Sequence, residues 1–132
     1  RDLHSFPTRR SSDLLGEPLS SVYACQENIN VGFGDIIVII GAGPIGCFHA
    51  KLAKLRGAKK VIMIEINDNR LETAKQFGVD HTINSLNEDP IDAVRKLTNG
   101  KGADKVKHKH RQSLWLKELV LLFSSVALLK EL

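Results

Sequence analysis

Residues 36–46 read IIVIIGAGPIG, and this junction decides the architecture. Five consecutive Ile and Val residues, Ile36 to Ile40, suit a short parallel strand buried on both faces; a half-exposed strand would alternate with polar residues. Gly41, Gly43 and Gly46 then form G-x-G-x-x-G where the strand gives way to a helix. In that context each glycine has its own task. Gly41 permits a tight turn, Gly43 lets the main chain approach a pyrophosphate, and Gly46 lets helix and strand pack closely. Pro44 fits the first helical turn, where its missing N–H costs nothing. The free N–H groups of that turn, including Ile45, carry partial positive charge toward an anion.

Working outward, Ile45 to Leu55 reads as a helix with Ile45, Phe48, Leu52 and Leu55 on one side, stopped at Gly57. Val61 to Ile66 is a second apolar strand. Asp68 or Asn67 can cap a helix running to about Phe77, closed by Gly78. His81 to Asn84 is a short third strand, and Pro90 to about Leu97 a further helix ending at Asn99-Gly100. Strand and helix alternate with short joints, which predicts an α/β fold. The expected form is a partial doubly wound parallel sheet, Rossmann-like, of about three strands with flanking helices.

Glu65 stands 19 residues beyond Gly46, at the end of the second strand. A carboxylate there can accept hydrogen bonds from the ribose hydroxyls of an adenosine and would repel a 2′-phosphate, so NAD is expected over NADP. Arg70 works against that preference, because a nearby guanidinium can accommodate a 2′-phosphate. The alternative for Glu65 is a solvated residue at a strand end.

The 132 residues carry a net charge of +4, but the excess sits at the two ends. Residues 16–104 hold ten basic and eleven acidic residues, so the apparent basicity is no footprint for nucleic acid on the folded part. No apolar run is long enough for a membrane span. Cys25 and Cys47 are too few for a disulfide framework, and a reducing cytoplasm is the expected compartment. Residues 1–15, rich in Arg and Ser, look like translated adaptor or cloning sequence and are set aside as a leader. Residues 105–132 turn basic and then Leu-rich. Leu114, Leu116, Leu119, Leu122, Phe123, Val126 and Leu129 could form one stripe of a helical tail. The strand expected after Asp104 does not follow, which suggests a tail read out of frame. On that reading the first strand becomes an edge, and one wall of the ligand crevice is missing.

Gly16-Glu17-Pro18-Leu19, Val31, Gly34-Asp35, IIVIIGAGPIG, Gly57-Ala58, VIMIEINDNRLETAKQFGVDHTIN and GKGAD together resemble the coenzyme domain of zinc-dependent medium-chain dehydrogenases, nearest the polyol (sorbitol-type) branch. The resemblance covers residues 16–104. It implies a parent enzyme, a homo-oligomer, that moves a hydride between a secondary alcohol or polyol and NAD(P), with zinc polarising the substrate oxygen. By the same resemblance Gly41, Gly43 and Gly46 form the pyrophosphate turn, Glu65 is the ribose-binding acid, and Arg70 is a basic residue near the adenosine. Glu17 matches a glutamate close to the catalytic zinc; its alternative is a helix-start acid serving only the helix dipole.

The family's zinc ligands belong to a catalytic domain that these residues do not contain, so no catalytic residue and no direct metal ligand is expected here. His108 and His110 have metal-pair spacing but are taken as incidental. Cys47 is expected to pack on the sheet, with His49 and His81 structural or exposed. The expectation is therefore the dinucleotide-binding part of an oxidoreductase, inactive by itself. The alternatives are a standalone dinucleotide-binding or sensing module, and a nucleic-acid binder using Lys105 to Lys117.

Overall fold

A computed structural model describes residues 11–108, with side chains for residues 16–107. The stripe expected over residues 114–129, His110 and most of the leader lie outside the described residues. The chain order is α1 (Ser11–Asn28), β1 (Ile36–Ile40), α2 (Pro44–Leu55), β2 (Lys60–Glu65), α3 (Asp68–Ala74), β3 (His81–Asn84), α4 (Pro90–Leu97) and β4 (Lys105–His108). One 3₁₀ turn, Lys75–Phe77, continues α3.

All the strands pair in parallel, in the order β3-β2-β1-β4. The sheet therefore grows in one direction from β1 to β3 and then reverses, with β4 added on the opposite side of β1. That reversal defines the crevice where doubly wound sheets bind ligands. The two halves of the core follow from strand alternation. Ile37, Ile39, Val61 and Met63 face α2 and α3, while Ile36, Val38, Ile62, Ile64 and Ile83 face α4. Each of these buried side chains contributes about 1.5–3 kcal/mol relative to an exposed position.

The fourth strand corrects the expectation that the pattern stops at Asp104. Lys105 to His108 pair with Ile37 to Ile40, so β1 is an interior strand and not an edge. Polar side chains hid this strand, because its pairing uses main-chain groups that any residue supplies. Asp104 starts it by accepting a hydrogen bond from Ile36 N–H at 2.8 Å, while its own N–H donates to Ile36 O, also at 2.8 Å. Asp80 makes a similar carboxylate bond to Val61 N–H at 2.7 Å, at the start of β2.

Two further differences concern helices. The buried residues of α2 are Cys47, His49, Ala50 and Ala53, whereas Leu55 is 75% exposed and Ile45 37%. The expected large-residue stripe faces away from the sheet because α2 lies too close to it for anything but small side chains. A Cβ on Gly46 would stand 1.9 Å from Gly41 O. Helix α1, described over Ser11–Asn28, takes in part of the stretch set aside as a leader and carries Pro18 within it. Glu17 is thus in the interior of a helix and not at its start.

Elsewhere the local signals operate as read. Of the two cap candidates for α3, Asn67 takes the role, accepting from Arg70 N–H at 3.2 Å; Asp89, which the sequence reading did not single out, caps α4 by accepting from Ile91 N–H at 2.7 Å. Gly57 and Gly78 take left-handed φ values of 86° and 87° where the chain leaves a helix.

Candidate functional site

The C-terminal end of β1 turns into α2 through Gly41-Ala42-Gly43. Gly41 has φ 102°, a conformation costly for any residue with a Cβ, and its N–H donates to Ile64 O at 2.8 Å. Gly43 caps α2 in an extended conformation with φ −78° and ψ 179°, and no side chain caps the helix. Cys47 N–H makes the first bond of α2, to Gly43 O at 3.0 Å. The earlier N–H groups of the first turn have no partner within the helix and face outward.

Gly43 is informative because the chain does not require it. Any residue adopts its φ and ψ, and an added Cβ would meet nothing within 4 Å. The missing side chain keeps open space in front of the turn. A cleft of about 120 Å³ lies there, lined by the turn, the end of β1, His49 and Lys107.

Glu65, at the end of β2, reaches back to this turn. Its Oε2 accepts from Ala42 N–H at 2.9 Å and its Oε1 from Ile66 N–H at 2.8 Å. Arg70 Nη1 stands 3.8 Å from Oε2, on a side chain that is itself mostly exposed. Burial pushes the Glu65 carboxyl upward, but the N–H groups of Ala42 and Ile66, the charge of Arg70 and the N–H of Asn67 outweigh it. The group is held below the ordinary carboxylate value. Glu65 is therefore ionised and aimed at the turn, not solvated at a strand end, and lone pairs on both oxygens remain for a further donor.

His49 was expected to be structural or exposed. It is 3% exposed and lies against Gln26 of α1, which is 2% exposed. The Gln26 amide Nε2 donates to His49 O at 2.8 Å and lies 3.3 Å from His49 Nδ1. Burial, with the charge of Lys107, lowers the His49 pKa to about 4. Cys47 packs on the sheet as expected, and burial raises its pKa. Glu17 is exposed on α1, and its carbonyl accepts from Ser20 Oγ at 2.8 Å. Among the described residues, no group of three or more His, Cys, Asp and Glu could hold a metal ion. His81 is half-buried on β3.

The sequence singled out Gly41, Gly43, Pro44, Ile45, Gly46, Glu65 and Arg70, and the fold brings all of them to one end of the sheet. It missed Ala42 and Lys107. Ala42 has no chemical signature, since only its N–H is used. Lys107 was masked by the apparent loss of pattern after Asp104.

Residues 44–108 match the family model described as zinc-binding dehydrogenase. This segment belongs to that family. Within the zinc-binding dehydrogenases, the chain is 41% identical over 86 residues to an alcohol dehydrogenase of Cupriavidus necator, covering 65% of this chain and 24% of that one. It is 39% identical over 90 residues to a sorbitol dehydrogenase of Rattus norvegicus, covering 67% and 25%. Among solved structures, an alcohol dehydrogenase from Thermus sp. ATN1 superposes with a TM-score of 0.74 at 32% identity, over 81% of this chain and 31% of that chain. The chain thus spans about a quarter of the length of its curated relatives. No described helix is long and apolar enough to cross a membrane.

Proposed function

We propose that this zinc-binding dehydrogenase segment holds the adenosine and pyrophosphate half of a NAD(P) molecule, with NAD preferred. The observation that carries the reading is the open space at Gly43, in front of uncapped N–H groups at the start of α2. A pyrophosphate accepts hydrogen bonds from such groups and benefits from the helix dipole. Glu65, ionised and fixed beside Ala42, would take the ribose hydroxyls on its remaining lone pairs. The same negative charge disfavours a 2′-phosphate. Arg70 is already drawn toward Glu65, which limits its use as a phosphate ligand.

The parent reaction on this reading is hydride transfer between a secondary alcohol or polyol and the dinucleotide. The nicotinamide supplies the hydride acceptor or donor. Zinc would polarise the substrate oxygen, but the described residues offer no donor set for it, so they contribute binding and orientation only. A cytoplasmic setting and a homo-oligomeric parent complete the proposal.

A standalone dinucleotide-binding module is the second reading. It is favoured by β4, which closes the open side of β1 and gives the crevice a second wall. Titration of the full chain with NAD, NADP and ADP-ribose tests both. NAD and ADP-ribose should bind with similar, weak affinity and NADP more weakly, and adding a Gly43→Val change should remove binding. An unaltered chain that ignores ADP-ribose would remove the dinucleotide assignment altogether.

A further inference from the structure

Strand β4 places two lysines where a parallel sheet normally buries apolar residues. Lys105 and Lys107 are in register with Ile37 and Ile39, whose side chains face α2. Lys107 is only half-buried, and it lines the cleft in front of Gly41, Gly43 and Gly46 together with His49. Residues at this end of β4 flank the reversal of strand order, so they face a ligand from the side opposite Glu65.

The polar side chains that line this cleft are His49 and Lys107. Gln26 Nε2 donates to His49 O, which fixes the orientation of the amide. The same Nε2 then faces Nδ1 as a donor, so Nδ1 accepts and the imidazole proton resides on Nε2. The neutral His49 ring and the Lys107 ammonium line the cleft beside the first turn of α2, and no carboxylate lines it. We propose that Lys107 is a further anion-binding residue of the glycine turn, placing an ammonium against the pyrophosphate that the main chain receives. This rests on the dinucleotide reading above and adds a charged side chain to a site otherwise built from backbone.

The experiment is calorimetric titration of the full chain with ADP-ribose, inorganic pyrophosphate and adenosine, at low and moderate salt. Lys107→Met, Lys107→Arg, Lys59→Met and Gly43→Val are compared with the unaltered chain. Lys59 is exposed beside the start of β2, at the other end of the sheet, and controls for net charge. Lys107→Met should weaken ADP-ribose and pyrophosphate about tenfold and flatten the salt dependence. Lys107→Arg and Lys59→Met should bind as the unaltered chain does, and adenosine affinity should not change. Equal pyrophosphate affinity in Lys107→Met and the unaltered chain overturns the role of Lys107 and leaves the glycine turn standing. A loss that extends to adenosine also overturns it, since it marks damage to the fold. Undiminished ADP-ribose binding by Gly43→Val overturns both readings.

Discussion

Glu65 Oε2 accepts a hydrogen bond from Ala42 N–H at 2.9 Å, joining the end of β2 to the middle of the glycine turn. The acid proposed to take the ribose thus also holds the loop proposed to receive the pyrophosphate. Replacing Glu65 with Ala removes a charge-assisted bond at a largely buried position and should cost about 1.5–3 kcal/mol of stability. Glu65→Gln keeps an acceptor for Ala42 and should recover most of that loss. Denaturant melts give the stability difference, and ADP-ribose titration should show both variants binding more weakly than the unaltered chain.

Gly46 and Gly43 should respond in opposite ways to the same change. Gly46→Ala forces a Cβ against Gly41 O, a backbone atom that cannot move without α2 leaving the sheet. A loss of about 3 kcal/mol is expected. Gly43→Ala meets open space at an ordinary φ and should leave the melting temperature almost unchanged. Its effect should be confined to dinucleotide affinity.

His49 gives the chain a pH dependence of definite sign. Its pKa falls from 6.5 to about 4 on folding, so the unfolded chain binds the extra proton first as pH drops. Stability is fully present above pH 6.5, declines between pH 6.5 and 4, and loses up to about 3 kcal/mol over that window. His49→Gln should flatten this slope in melts run across the same range. Any loss that remains near pH 4 and below belongs to carboxylates such as Glu65, whose pKa is also depressed.

Asp104→Ala tests the anchoring of β4. The carboxylate bond to Ile36 N–H disappears and should cost about 1–3 kcal/mol. Hydrogen exchange should quicken at β1 amides that face β4, with little change at those facing β2.

The legible part of this molecule was whatever leaves a mark in side-chain type. The apolar run at Ile36 to Ile40, the glycine spacing, the cap at Asn67 and the acid at Glu65 all lie in the element the sequence indicates, whereas the cap at Asp89 went unread. Two features were not legible, for separate reasons. Strand β4 is specified by main-chain pairing to β1 and by Asp104, while its lysines contradict the apolar pattern of a central strand. The packing face of α2 is set by how closely the helix approaches the sheet, so Ala50 and Ala53 are buried and Leu55 is not. Hydrophobicity along one helix carries no information about that distance. The tautomer of His49 depends on Gln26, distant in sequence, and needed the fold to appear.

Strand β1 meets its partners at very different stages of synthesis. Ile37 aligns with Val61 on one side and with Lys105 on the other, so its second neighbour is made long after the first. A nascent chain released before that point would carry the complete glycine turn on a half-finished sheet, with the main chain of β1 open to any passing polypeptide. The glycine turn and its structural support are therefore translated as separate instalments, and residues 105–108 mark the moment when they become one unit.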